Sequence, residues 1–241
     1  MPFILFLFIQ LFYFINAFSN AFSSDIESLT LNTTNVISIK GEINDDLASK
    51  FIHELNQKPD KENIYVYLDT NGGSVEAGNL IIDEIQKYNL DCIAQRAISM
   101  GFVILQSCNT RYITNYGILM QHQMSYGIVN EKEKVDSYTQ FIDQIADILV
   151  QMQANKINIK ELDFKQKTYN DWWLFGINAI KDGCADKLIH IKCSSALTNK
   201  TFTEDIGSYT YTYSKCPLVN KYIKKVKNNN KSSIEDLFYI L

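Results

Sequence analysis

Residues 64–81 read IYVYLDTNGGSVEAGNLI, and this stretch contains a strand, a turn and the start of a helix in direct succession. The segment from Ile64 to Leu68 is aliphatic, aromatic and β-branched, which is typical of a strand buried on both faces. The Gly72–Gly73 pair supplies a turn, and apolar residues recur at helical spacing from Val75 onward. The stretch therefore predicts a strand that leads straight into a helix, as in parallel α/β sheets.

The segments on either side repeat this alternation of strand and helix. Strands are predicted at 35–40, 63–69, 91–94, 111–114, 117–121 and 187–192. Helices are predicted at 48–57 with Asp45 and Asp46 as caps, from Val75 to Tyr88, and at 99–108, 131–155, 172–182 and 234–241. The sequence therefore indicates an α/β fold with a mostly parallel sheet.

The longest predicted helix, 131–155, carries an apolar stripe. Its members are Val135, Tyr138, Ile142, Ile145, Leu149 and Met152, which recur at alternating spacings of three and four residues. Such a stripe packs either on a helix of a neighbouring subunit or on the chain's own core. Both readings stay open on the sequence.

The chain divides into four predicted parts. Residues 1–21 carry no charge after Met1 and are mostly apolar, with small residues near Ser19 and Ala21, which indicates a cleavable signal peptide and an extracytoplasmic destination. An uncleaved membrane anchor is the alternative. A linker is predicted at 22–34, one domain at 35–192, and a polar tail at 193–241.

Composition narrows the function classes. The formal net charge is -4, and no basic motif points to nucleic acid. No Cys or His spacing fits a metal site, and no cofactor motif occurs. Cys92, Cys108 and Cys184 lie in apolar surroundings and are predicted to be buried free thiols. Cys193 and Cys216 lie in the polar tail and can pair in an oxidising compartment.

Five residues are candidates for chemistry. Ser99 and Met100 lie where a strand passes into a helix, so the Met100 N–H is a free helix-terminal donor. The Gly73 N–H is placed similarly, and His122 ends a strand on the side where α/β sites form. Asp171 can orient an imidazole. Taken singly, each has a plainer reading: a helix cap for Ser99 and Asp171, a tight turn for Gly73, and a structural role for His122.

Four segments together resemble the proteolytic subunit of the Clp protease, within the crotonase-like superfamily. They are 64–78, QRAISMG at 95–101, LMQHQ at 119–123, and TYNDWWL at 168–174 with Ala179, Gly183 and Asp186 after it. The resemblance runs from about Val36 to Ile191 and preserves the family's order of segments. It implies a repeated β-β-α superhelix and a serine endopeptidase that acts on peptides or unfolded proteins without a cofactor.

By the same resemblance, Ser99 is the nucleophile, His122 the general base and acid, and Asp171 the residue that fixes the histidine tautomer. The N–H groups of Gly73 and Met100 form the oxyanion hole. Family members form homo-oligomeric rings, with the long helix where two rings meet. An unfoldase ATPase is the family's partner, although a secretory leader fits such a partner poorly.

Two other functions remain open. The chain can be a non-catalytic ring subunit or a binding protein on the same fold, since Asn71, Met124 and a single Gly127 depart from the family pattern at the substrate groove. It can also be a membrane-associated hydrolase similar to signal peptide peptidase. That class uses a Ser–Lys pair, and the presence of both His122 and Asp171 argues against it.

Overall fold

The computed structural model describes residues 26–228. The strands are β1 (Glu27–Leu31), β2 (Val36–Ile43), β3 (Tyr65–Gly73), β4 (Asp91–Ile98), β5 (Arg111–Gln121), β6 (Trp172–Phe175), β7 (Lys187–Cys193), β8 (Thr201–Ile206), β9 (Tyr209–Ser214) and β10 (Lys224–Lys227). The helices are α1 (Asp45–Asn56), α2 (Val75–Tyr88), α3 (Met100–Ser107), α4 (Lys132–Ile157), α5 (Glu161–Lys167), α6 (Ile177–Lys181) and α7 (Ser195–Asn199). The predicted leader and the helix at 234–241 lie outside the described residues.

Seven strands form the main sheet in the order β1-β7-β5-β4-β3-β2, with β6 paired to β5. Every pair is parallel except β5 with β6. The predicted α/β class with a mostly parallel sheet is thus confirmed, whereas the crotonase-like superhelix stays a prediction. No helix in the described part of the chain is both long and apolar enough to cross a membrane.

The strands alternate their side chains between two apolar clusters. In β3, Val66 and Leu68 join a cluster with α1, α2 and α3, while Tyr67 points to the opposite face. The last turns of α4 and the α5 residue Phe164 complete the first cluster. The C-terminal segment covers part of the second face with Leu197. Helices therefore cover one face of the sheet, and the C-terminal segment covers part of the other.

Several predicted elements differ from the structure. Residues 172–182, predicted as one helix, form strand β6 followed by the short helix α6. The reason is a period of two in burial: Trp172 and Leu174 are buried, while Trp173 and Phe175 are exposed. The two predicted strands at 111–114 and 117–121 form the single strand β5, whose register with β4 shifts between Ala94 and Arg96.

The segments predicted as linker and tail also contain regular structure. Part of the linker, 22–34, forms β1, which pairs in parallel with β7. The segment after residue 193 forms α7 and the three-stranded sheet β10-β9-β8. Helix α1 is capped by Asn44, whose Oδ1 accepts from Leu47 N at 2.9 Å, and not by Asp45 or Asp46. Helix α5 was not predicted.

Two disulfides occur among the described residues. Cys193 and Cys216, the predicted pair, are bonded and fasten the C-terminal segment to the end of β7. Cys92 and Cys108 are also bonded, so their prediction as free thiols is wrong. The chain leaves α3 beside the start of β4, which brings these two Cα atoms within 5.8 Å. Cys184 is the free, buried thiol, and burial raises its pKa to about 12.

The stripe on α4 divides between two environments. Ile142 is buried in its own chain, and Leu149 and Met152 pack against the core, so half of the stripe serves the domain itself. The neighbouring face carries Phe141 and Ile148, which are 53% and 65% exposed. The outward apolar face is therefore displaced by one residue from the predicted stripe.

An ion pair between the buried Arg111 and the more exposed Asp186 joins β5 to the loop before β7. The Arg111 side chain donates to both carboxylate oxygens of Asp186, at 3.1 and 2.5 Å, and its main-chain N–H donates to the same group at 2.7 Å. Arg111 also donates to Gln106, whose amide donates to Cys184 O. Partial burial raises the pKa of the Asp186 carboxyl, but the Arg111 hydrogen bonds outweigh it and hold that pKa below its usual value.

The Asp186→Asn variant tests this pair. It leaves the buried Arg111 guanidinium without its counter-charge, so the free energy of unfolding should fall by about 2–3 kcal/mol at pH 7. Because the folded pKa is lowered, the stabilisation is present above about pH 4 and is lost as the pH falls through the folded pKa. Urea unfolding between pH 3 and 7 should show the two proteins converging in acid. The exposed pair Lys132–Asp136 supplies the control, since Asp136→Asn should cost less than about 1 kcal/mol.

Candidate active site

Ser99 occupies the turn between β4 and α3 with an unusual backbone. Its φ of 55° and ψ of -120° are strained for a residue with a Cβ. Its N–H donates to Met120 O at 2.9 Å, and its carbonyl accepts from Phe102 N and Val103 N, which holds this conformation. The hydroxyl makes no cap bond to the helix, so the plain capping interpretation of Ser99 is wrong.

The Ser99 hydroxyl instead meets His122. Its Oγ lies 2.8 Å from His122 Nε2, which is hydrogen-bonding distance between a nucleophile and a general base. His122 is the first residue after β5, so the carboxyl ends of two neighbouring parallel strands supply the pair. Both side chains are partly buried. The arrangement suits transfer of the hydroxyl proton to the imidazole as the oxygen attacks.

Glycines bring the β3 turn against this pair. A Cβ added to Gly72 would lie 2.8 Å from both Ile98 O and Ser99 Cβ, and its φ is 96°. Gly73, with a φ of 147°, likewise has no room for a Cβ beside the Ile43 main chain. Glycine therefore allows the β3 turn to reach the nucleophile, which larger residues would prevent.

Gly73, Ser99, Met100 and His122 line one cleft. Met100 is the first residue of α3, so its N–H has no acceptor within the helix. The structure thus gathers four of the five candidate residues. Two backbone donors beside a nucleophile are the arrangement that stabilises a tetrahedral oxyanion.

Asp171, the fifth candidate, stands apart from the histidine. It is exposed, has a φ of 54°, and makes no hydrogen bond to His122 within the described range 26–228. It precedes strand β6 and not a helix, so its reading as a helix cap is wrong. The orienting carboxylate is consequently not engaged in the single chain.

Two buried amides hold the His122 main chain. The His122 N–H donates to Gln121 Oε1 at 3.1 Å, Gln121 Nε2 donates to Gln153 Oε1 at 2.5 Å, and Gln153 Nε2 donates to Leu149 O at 2.8 Å. The His122 N–H can only donate and the Leu149 carbonyl oxygen can only accept, so the orientation of both side-chain amides is fixed. Gln121 and Gln153 are 4% and 2% exposed. The two residues lie 32 positions apart in the sequence, and no sequence signal identified them.

The cleft measures about 520 Å³ and runs from Ser99 along α4 and α5. Its apolar walls are formed by Val75, Met100, Val103, Ile142, Leu149, Val150 and Phe164. Exposed polar groups form the rim, including Ser125, Asp143 and Lys165. No group of His, Cys, Asp or Glu side chains within residues 26–228 is arranged to hold a metal ion.

The chain is similar in sequence to a family of known proteins. The Clp protease family model matches residues 20–192. The ATP-dependent Clp protease proteolytic subunit 1 of Borreliella burgdorferi is 28% identical over 163 residues, which are 64% of this chain and 84% of that protein. The ATP-dependent Clp protease proteolytic subunits of Borreliella afzelii and Borrelia garinii subsp. bavariensis are also 28% identical over 163 residues, covering 82% and 84% of their lengths.

The Gln153→Leu variant tests the amide series. It leaves the buried Gln121 amide without its acceptor, so the free energy of unfolding should fall by about 1–3 kcal/mol. The double variant Gln121→Leu/Gln153→Leu removes both polar groups and should recover part of that loss in urea unfolding. Gln151 lies exposed on the same helix, so Gln151→Leu is the matched control and should change stability little. A single variant as stable as the control would contradict the assignment.

Proposed function

The chain belongs to the Clp protease family of serine-type peptidases, and we propose that Ser99, His122 and Asp171 carry its hydrolysis of peptide bonds. The observation that supports this most directly is the 2.8 Å contact between Ser99 Oγ and His122 Nε2. Gly73 and Met100 are proposed to stabilise the oxyanion. A non-catalytic subunit would have no need for a strained serine paired with a histidine.

The proposed reaction follows from these positions. Ser99 Oγ attacks the peptide carbonyl carbon while His122 Nε2 takes the hydroxyl proton. The carbonyl oxygen becomes an oxyanion and accepts hydrogen bonds from the N–H groups of Gly73 and Met100. His122 returns the proton to the leaving amine, which leaves an acyl group on Ser99. Water, activated by the same imidazole, then releases the acyl group and restores the serine.

The proposed substrates are extended or unfolded peptides. The proposed nucleophile lines an open cleft with apolar walls and a polar rim, which suits a flexible chain better than a folded protein surface. The glycine turn at the cleft edge lets a substrate backbone come close to the donor groups. Short peptides can enter such a cleft without prior unfolding by an ATPase.

We propose that the protein works as a homo-oligomer. The outward face of α4 carries Tyr138, Phe141 and Ile148, which are exposed in the single chain and recur at the spacing of one helix face. Asp171 is also exposed and unengaged. If assembly also covers Asp171, exclusion of water would favour contact between its carboxylate and His122 Nδ1.

We also propose an extracytoplasmic location. The apolar leader supports a secretory signal, and the two disulfides are typical of an oxidising compartment. Protein from a secreting host should therefore begin near Asn20 or Phe22 by N-terminal sequencing. A chain that keeps Met1 and sediments with membranes would favour an anchor instead.

The Ser99→Ala variant tests the nucleophile. Peptide hydrolysis should fall by roughly 10⁴-fold or more while the circular dichroism spectrum stays unchanged. Labelling by a fluorophosphonate probe should disappear. Ser125 lines the same cleft, so Ser125→Ala is the matched control and should keep both labelling and turnover. Asp171→Asn should lower kcat with little change in KM, and full activity in that variant would remove Asp171 from the mechanism.

The double variant Phe141→Asp/Ile148→Asp tests assembly. Burying each side chain at an interface is worth roughly 1.5–3 kcal/mol, so two charges there should give a folded monomer with lower activity. Light scattering and circular dichroism report the two properties separately. Ile142→Asp, at a buried position, should unfold the chain instead, and Gln144→Asp, on the exposed surface of α4, should change neither. A fully active monomeric wild type would refute the proposal.

A further inference from the structure

A second groove lies between the C-terminal segment and the rim of the main sheet formed by β2 and α1. Its volume is about 610 Å³, and it shares no lining residue with the catalytic cleft. One wall comes from β2, α1 and the turn after it, and the other from the segment between Leu197 in α7 and Asn220, which follows β9. The Cys193–Cys216 bond fastens the second wall to the end of β7.

Positive charge is concentrated in this groove. Five lysines line it: Lys40, Lys50, Lys58, Lys200 and Lys215. Only two carboxylates line it, those of Glu54 and Glu204, although the whole chain has a formal net charge of -4. Three of these cations come from the domain and two from the C-terminal segment, and all five face a common space. The imbalance favours an anionic ligand.

Two of the ammonium groups are held in place by neutral oxygens. Lys58 Nζ donates to Thr33 O at 2.7 Å and to Val36 O at 3.0 Å. Lys40 Nζ donates to Pro217 O at 2.9 Å and to Asn220 Oδ1 at 2.8 Å. An ammonium has three donors, so each retains one N–H after these bonds. Their positions are fixed without a carboxylate at hydrogen-bond distance.

The remaining lysines crowd the same space. Lys215 Nζ lies 3.7 Å from Glu54 Oε1 and 4.9 Å from the centre of the Phe202 ring, and Lys50 Nζ lies 5.7 Å from that centre. Partial burial lowers the pKa of Lys58; Glu54 opposes this shift, and repulsion from Lys200 and Lys215 adds to it. One carboxylate therefore compensates a group of mutually repelling cations only in part.

We propose that this groove binds a small polyvalent oxyanion of the phosphate class, held by Lys58 and Lys40 on the domain side and by Lys200 and Lys215 on the C-terminal side. A phosphate offers several acceptor oxygens around one centre, which matches ammonium groups that converge from two walls. The lysines meet in one groove and do not form a row along an exposed face. A compact anion consequently fits this charge better than an extended acidic segment.

Such a ligand would join the two walls electrostatically. Lys200 and Lys215 belong to the C-terminal segment, whereas Lys58 follows α1, so an anion between them replaces repulsion by attraction. Because the ligand binds only the folded arrangement, it would stabilise the docked C-terminal segment in proportion to its concentration. The groove would thus serve as a binding site separate from catalysis.

Isothermal titration of the full chain tests the proposal. Orthophosphate, tripolyphosphate and glycerol phosphate are titrated at one ionic strength set by sodium chloride, which separates inorganic sources from a phosphate ester. The Ser99→Ala chain is used, because its binding does not depend on whether the proposed nucleophile is correct. At least one of the three should bind with one-site stoichiometry, and tripolyphosphate should bind most tightly because it reaches more ammonium groups.

Variants that change the charge of the groove should change the Kd in opposite directions. Lys200→Gln/Lys215→Gln should raise the Kd by at least about tenfold, because two cations are lost. Glu54→Gln should lower the Kd by a few fold, because a repelling carboxylate is removed. The control Lys132→Gln/Lys134→Gln makes the same change in net charge at the distant start of α4 and should leave the Kd unchanged. Heat of binding from none of the three anions, equal weakening in the control, or looser binding by Glu54→Gln would overturn the proposal. Tighter binding of a polyglutamate peptide than of tripolyphosphate would overturn it in favour of an acidic segment.

Discussion

The close approach of the β3 turn to its neighbours is the constraint on which the site depends. At Gly72 and Gly73 the backbone lies so near Ile98, Ser99 and Ile43 that no Cβ can be placed there. Any larger residue would push the turn away from the β4–α3 junction, and the Gly73 and Met100 donors would no longer line one cleft. Under the proposed mechanism, two residues without side chains thereby determine whether the oxyanion hole forms.

The same edge of the sheet explains the strain at Ser99. A positive φ at a serine costs free energy, and the structure offsets that cost with main-chain bonds to Met120, Phe102 and Val103. The conformation turns the hydroxyl away from the helix end and toward His122. Helix α4 contributes at the opposite side, because Gln153 reaches through Gln121 to the His122 main chain. Ser99 and His122, the proposed nucleophile and base, are thus held by separate elements.

The sequence was sufficient where local pattern and function coincide. Ser99, His122 and the Gly72–Gly73 turn all lie at strand ends. The end of a strand can be recognised in the sequence as the point where an apolar run ends. It failed where the outcome depends on distant neighbours. Strand β6 exists because β5 offers it an antiparallel edge, and the Cys92–Cys108 bond exists because the chain returns beside β4. The Gln121–Gln153 contact joins a strand to a helix residue 32 positions later, and no local sequence pattern predicts it.

In the proposed triad, the exposed Asp171 is the member that does not contact its neighbour in the single chain. A carboxylate surrounded by water interacts weakly with an imidazole, because the high dielectric of the solvent screens the attraction. The same carboxylate would orient His122 strongly once a neighbouring surface excluded water from it. Burial of the exposed Phe141 and Ile148 would supply a hydrophobic driving force for the approach of a neighbouring chain. In the proposed assembly, association of the chains is linked to the ordering of the Asp171 carboxylate, and full activity is expected only where the chain is concentrated enough to assemble.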